Sequence, residues 1–228
     1  MLVMALTARG ALELLKEGVK PPSFFRVHAR EGIYEVRCNE IGLFSTLLES
    51  WENDAEPEWW EGVKLFLPKI NVSLLMKIIS FFRTVNRHFG GVEALAYIFW
   101  STSEKQYYVY CPVQTVSGIS IDVVYDQELY MKLEEDVLVM EIHSHHNMNA
   151  FFSAVDDEYE KATRFYGVVG KIDKFFPDIK VRYANARTHR EIPPEAVFQM
   201  PHFPASWLEN VIRRERAFRI LLEEVIPE

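Results

Sequence analysis

The segment "MEIHSHHNMNAFFSAVDDEYE", residues 140–160, gathers the side chains of this chain best suited to chemistry. It continues the apolar run "DVLV", which reads as a buried strand leading into a cluster of histidines. Residues two apart on a strand point to the same side, so His143 and His145 present both imidazoles to one spot while Ser144 faces away. Two zinc ligands are thereby placed by backbone geometry alone. A third has to come from another element, and Asp156, near the start of a helix that a Ser or Asp can cap, is placed to reach back across the strand end. Three protein ligands leave a fourth position for water, which is the arrangement of a catalytic zinc site rather than a closed structural one. Two neutral imidazoles and one carboxylate keep the site net positive, and the pKa of bound water can then fall from about 15.7 to about 7. The resulting hydroxide attacks carbonyl carbon but needs a base for its proton and a partner for the developing oxyanion. Ser153, one helical turn before Asp156, can supply a hydroxyl for that oxyanion.

His-x-His alone does not specify metal, since a histidine on a strand is commonly a hydrogen-bonded core or surface residue. Other His-x-His families can be tested against the chain. A cupin wants a Glu three or four residues after the second His, where this chain has Met148 and Asn149. An amidohydrolase barrel carries the pair on an early strand and needs about 250 residues, and too little chain follows His145. His146-Asn147 hints at a nuclease, but the basic surface a nuclease needs is missing. A zinc deaminase on a similar scaffold would need a pair of cysteines that is not here.

The whole chain narrows the classes further. At 228 residues, 49% hydrophobic and 25% charged, it is long enough for one well-filled core and a small second unit. A formal charge of −8 disfavours any sequence-independent grip on phosphate backbones, so no nucleic-acid partner is expected. The single basic cluster, "NVIRRERAFR", is interleaved with Glu215 and apolar residues at helical spacing and reads as a solvated helix face. Cys38 and Cys111 lie far apart without a C-x-x-C partner, which argues against a disulfide framework or a cysteine zinc site and fits a reducing compartment. The N-terminus lacks the basic stretch of a signal peptide, and nowhere do eighteen apolar residues run together, so no membrane span and a cytoplasmic location are expected.

The elements that must position the cluster can be read along the chain. Residues 1–70 look like a small β-rich N-terminal accessory unit, with two strands around a Glu-Gly turn in "FFRVHAREGIYEVRC" and then an acidic, Trp-rich stretch. Trp59 and Trp60 are expected to pack this unit onto the main domain. In residues 71–228, Leu74, Ile78, Phe82, Val85 and Phe89 recur at helical spacing, with Asn71 or Ser73 to cap the start and Gly90-Gly91 to end the helix. "EALAYIFW" suits a strand buried on both faces, and "QYYVYCPVQ" and "ISIDVVYD" suit strands paired antiparallel through short connections. After the histidines come "YGVVGKID" and "KVRYANAR" as strands and a C-terminal amphipathic helix after Pro204. The expected class is α/β of the α+β type: a mixed sheet with helices packed on it.

The spacing His-x-His, seven residues, Ser-x-x-Asp, met by His143, His145, Ser153 and Asp156, resembles the signature of the JAMM (MPN+) zinc metallopeptidases of the JAB domain family. That family also has a Glu at the start of a buried strand following a long helix, and "VEALAYIFW" matches it at Glu93. The resemblance spans about residues 71–190 and implies a curved mixed sheet flanked by helices, similar to the cytidine deaminase architecture. It implies that Glu93 is the general acid/base and that Ser153 steadies the tetrahedral intermediate. More narrowly, the site segment, "YGVVGKID" and the extra N-terminal unit resemble the protein A family of bacterial PRTRC systems. This implies a ubiquitin-like protein or its conjugates as substrate and a ThiF-like activating enzyme as a partner. The alternative is a non-proteolytic MPN-type binding or scaffold protein of such a cassette. One departure is His146, where eukaryotic relatives commonly have Pro; it loosens that corner and offers a competing ligand. Another is the apolar "NMNAFF", a cover or groove over the site.

Overall fold

The computed structural model describes residues 4–16, 20–52 and 55–211. The first part of the chain forms a five-stranded sheet whose spatial order follows the sequence: β1 (Ala5–Thr7), β2 (Phe24–Ala29), β3 (Gly32–Cys38), β4 (Gly42–Ser50) and β5 (Gly62–Leu65). β1 and β2 are parallel, which requires the crossover supplied by α1 (Ala8–Lys16), and the remaining pairs are antiparallel. Strict alternation in β3, with Gly32, Tyr34, Val36 and Cys38 buried, sends one face into a local core with Phe25, Val27 and α1. Trp59 belongs to that same core, its Nε1 donating to Ser45 Oγ at 2.9 Å, with Trp60 stacked on it. The expected role of these tryptophans as anchors onto the main domain is therefore corrected: the ring pair packs within its own unit. The apolar bridge is made by Ile41 and Phe44 instead, the latter against Phe165 and Tyr183. Asn185 adds polar stitches, its Nδ2 donating to the Glu35 and Phe44 carbonyls, and Tyr183 Oη donates to the Ser45 carbonyl.

The larger unit is built on α2 (Val72–Phe89), preceded by β6 (Ile70–Asn71). Asn71 caps the helix by accepting from Ser73 N, and it ends at Gly90, whose φ of 68° suits glycine best. Its buried stripe, Leu75, Ile78, Ile79 and Phe82, packs on a six-stranded mixed sheet. The strands of this sheet are β7 (Leu95–Ser101), β8 (Gln106–Tyr110), β11 (Val137–Ser144), β12 (Arg164–Gly170), β13 (Asp178–Asn185) and β14 (Thr188–Ile192). Their order is β14-β13-β12-β11-β7-β8, antiparallel throughout except for β11 with β12. A hairpin, β9 (Gln114–Val116) with β10 (Ile121–Val123), and the helix α3 (Gln127–Glu135) lie between β8 and β11. The short helix α4 (Ala154–Tyr159) lies between β11 and β12, and β15 (Phe198–Gln199) pairs in parallel with β6.

The mixed α+β class expected from the sequence is what the chain adopts. β7 and β11 are inner strands buried largely on both faces, as the apolar run of β7 and that of β11, broken by Glu141 paired to Arg164, lead one to expect. Of the C-terminal helix expected after Pro204, α5 covers only Ser206–Glu209 and stops at Asn210, with Val211 already outside it; residues from 212 on lie outside the described residues. Among the described residues no helix is long and apolar enough to cross a membrane.

Candidate metal centre

β11 carries the two histidines into the site under constraint from both sides. Along its antiparallel edge His143 lies opposite Leu95 of β7, and along its parallel edge opposite Val168 of β12. The ladder then continues past the strand end: Ser144 N donates to the Ala94 carbonyl and His145 N to the Val169 carbonyl, each at 2.9 Å. Ser144, turned away from the imidazoles, accepts from Ala94 N at 3.1 Å through its Oγ. This clasp on Ala94 brings the preceding residue, Glu93, alongside the histidines, and Glu93 N is held in turn by the Ser117 carbonyl at 2.8 Å.

Asp156 arrives from α4. Ser153 is the N-cap, and the pair forms a reciprocal capping box in which Ser153 Oγ accepts from Asp156 N while Asp156 Oδ2 accepts from Ser153 N. The Ser153 hydroxyl also donates to Oδ2 at 2.7 Å, which leaves Oδ1 facing His143. One carboxylate oxygen is thus used by the cap and the other is free for a ligand.

The donor atoms converge. His143 Nε2 lies 3.2 Å from His145 Nε2 and 3.6 Å from Asp156 Oδ1, and one ligating atom from each of the three residues falls within 4.8 Å of the others. Atoms about 2.0–2.2 Å from a common zinc ion stand about 3.3–3.6 Å apart at the tetrahedral angle, so the two close separations fit a shared cation. Burial holds His143 down at about 4, against the pull of the Asp156 carboxylate, and His145 is lowered mainly by burial as well. Both imidazoles are therefore neutral near pH 7, the state in which a ring nitrogen ligates metal. Glu93 Oε1 sits 3.8 Å from His145 Nε2, beside the cluster but outside it, and burial together with the Asp156 charge pushes its pKa up to about 7.

His146 is not part of this convergence. Its ring turns away to the Gly118 carbonyl, with Nε2 at 3.3 Å, so the competing ligand expected at this position is not offered. The corner is also not loose. His146 takes a φ of 33°, and the turn is closed by Met148 N on the His145 carbonyl, Ile172 N on the His146 carbonyl and Lys171 N on the Met148 carbonyl. Proline, fixed near a φ of about −65°, has no access to this turn. The apolar loop after it buries Ala150, while Phe151, itself exposed, meets the His145 ring edge to face at 4.5 Å between centroids.

The structure thus brings together all five residues singled out from the sequence: Glu93, His143, His145, Ser153 and Asp156. Sequence reasoning missed Arg182, a guanidinium almost fully buried next to α4. No local signal marked it: Arg182 alternates with the core residues Val181 and Tyr183 and shares its strand face with Lys180, which reads as a solvent face.

Residues 79–180 match the family model of prokaryotic homologs of the JAB domain. The matched JAB-domain span, a little under half of the chain, runs from within α2 into β13 and includes all five of these residues. The mixed sheet flanked by helices agrees with a JAB/MPN fold. No curated protein matches the chain.

Proposed function

We propose that this chain is a zinc-dependent metallopeptidase of the JAMM type, hydrolysing a peptide or isopeptide bond at the C-terminal tail of a ubiquitin-like protein. The observation that carries this reading is the convergence of two neutral imidazoles and one carboxylate oxygen, with a protonatable carboxyl beside them but outside the ligand set. His143, His145 and Asp156 would hold the zinc, which when bound supplies a Lewis acid and lowers the pKa of water.

The remaining steps belong to side chains of this chain. Glu93, with a pKa raised to about 7, can accept a proton from the attacking water and return it to the departing amine near neutral pH. Ser153, whose single O–H proton rests on Asp156 Oδ2, is the donor assigned to the oxygen of the attacked carbonyl; on turning to it the hydroxyl leaves Oδ2 held by the Ser153 N–H. Phe151 packs against the His145 ring in an edge-to-face contact that helps to hold the imidazole in its orientation. Resemblance of the site segment and the N-terminal unit to the PRTRC protein A family supports a ubiquitin-like partner, a ThiF-like activating enzyme in the same cassette and a cytoplasmic setting. The five-stranded sheet with its own local core also supports the division into an accessory unit, 1–70, and a catalytic unit, 71–228.

Cleavage of a fusion that joins a ubiquitin-like tail to a reporter tests the reading. The wild-type protein should cut it, and a chelator should stop the reaction until zinc is restored. Zinc uptake without any cleavage would favour a binding or scaffold role, and cleavage that survives chelation would contradict the metal chemistry.

A further inference from the structure

The helix that delivers Asp156 has almost nothing apolar to hold it. α4 spans six residues with none buried; Val155 is 61% exposed and Tyr159 78% exposed. A helix of this length does not persist on its own propensity, and here it lacks the amphipathic face that would dock it. Its capping box orders the first turn internally but does not fix the helix to the sheet.

The attachment is made by Arg182 of β13, which is 3% exposed. Its guanidinium meets Asp157 Oδ1 through Nη1 and Glu160 Oε2 through Nε and Nη2, the latter two at 2.8 and 2.7 Å. Asp157 is the neighbour of the ligand, and Glu160 is the residue on which α4 ends, with its own N–H donating to the Asp156 carbonyl. On the other side of the ligand, Phe152 lies under the same guanidinium, 4.0 Å from ring centroid to Cζ. His189 of β14 completes the grip, its Nε2 2.7 Å from the Glu160 carbonyl. One planar cation therefore touches the chain both before Ser153 and after Asp156.

We propose that Arg182 is a positioning residue for the metal centre, locking α4 onto β13 so that Asp156 Oδ1 stays over His143 and His145. This rests on the zinc reading above. A buried cation between two carboxylates is an inefficient way to gain stability, because the cost of removing charges from water offsets much of their attraction. It is an effective way to fix orientation, since a guanidinium fork binds two partners in one plane and an ammonium does not. Groups that orient metal ligands from behind affect affinity by about 10- to 100-fold when removed.

The test compares Arg182→Lys with the wild type in zinc affinity, by competition against a chromophoric chelator, and in the visible spectrum of the cobalt-substituted protein. Arg182→Lys keeps the charge but not the fork, so zinc should bind about 10- to 100-fold more weakly, with an altered cobalt band, in a protein whose near-UV circular dichroism remains native. A folded Arg182→Lys protein with wild-type affinity and spectrum would overturn the proposal. If that variant does not fold, Asp157→Asn carries the test, because its side chain is 56% exposed. A smaller loss of affinity in the same direction is then expected, and no loss overturns the proposal. Absence of zinc binding in the wild type itself would instead remove the metal reading, and this inference with it.

Discussion

The two halves of the candidate metal centre are held by different physics. His143 and His145 stand at the end of a central strand hydrogen-bonded on both edges, over a core in which Met140 and Ile142 are fully buried. Asp156 stands on a six-residue helix with no buried residue, tied down by a cap and an ion-pair clamp. The strand half inherits its precision from the fold, so it can be disturbed only by disturbing the fold. The helix half is held by polar contacts that can be removed one at a time.

Predictions that break or sharpen this contrast run from large to small. The largest concerns neither half but the carboxyl beside them: Glu93→Gln should retain zinc while hydrolysis falls by about 10²- to 10⁴-fold, measured as turnover of the tail fusion alongside zinc content. Turnover at the wild-type rate would remove Glu93 from the mechanism. Ile142→Ala, deep under the strand half, should cost about 2–5 kcal/mol of global stability in denaturant unfolding, with near-normal zinc affinity in the molecules that remain folded. A selective loss of zinc with unchanged stability would contradict the idea that the strand half is set by the core.

Gly170 tests the contact behind the histidines. A Cβ there would stand 2.2 Å from Ala150 N and 2.5 Å from the Met148 carbonyl, so the loop after His146 must shift. Gly170→Ala should destabilise by about 1–3 kcal/mol, and a melting temperature equal to the wild type would show that the loop is not held where described. Ser153→Ala removes the cap of the helix half and the hydroxyl on Asp156 Oδ2 together. It should cost only about 1 kcal/mol of stability yet weaken zinc binding, a dissociation opposite to that of Ile142→Ala. Equal effects on stability and affinity in both variants would erase the distinction between the halves.

How much of this could be read in the chain follows the same division. The strand half is legible because burial on both faces favours largely apolar runs, here "VLVMEI" with Glu141 as its one interruption, and because His-x-His spacing translates directly into shared direction on a strand. The candidate third ligand, Asp156, is legible through the Ser-x-x-Asp spacing, which doubles as a capping box. Elements held mainly by polar contacts were less visible. α3 went unrecognised because Leu129 is its only buried residue, and its signal was the Asp126 cap accepting from Leu129 N. β14, "THREI", is a half-buried edge strand without clean alternation. Arg182 belongs to the same group, since its partners are 22 and 25 residues away and no local pattern announces them.

The central claim is that three side chains hold one cation, and elemental analysis of the purified protein tests it most directly. The wild type should carry close to one zinc per chain, and the double variant His143→Ala with His145→Ala should carry almost none while keeping its fold. Zinc retained at wild-type occupancy by that double variant would contradict the account.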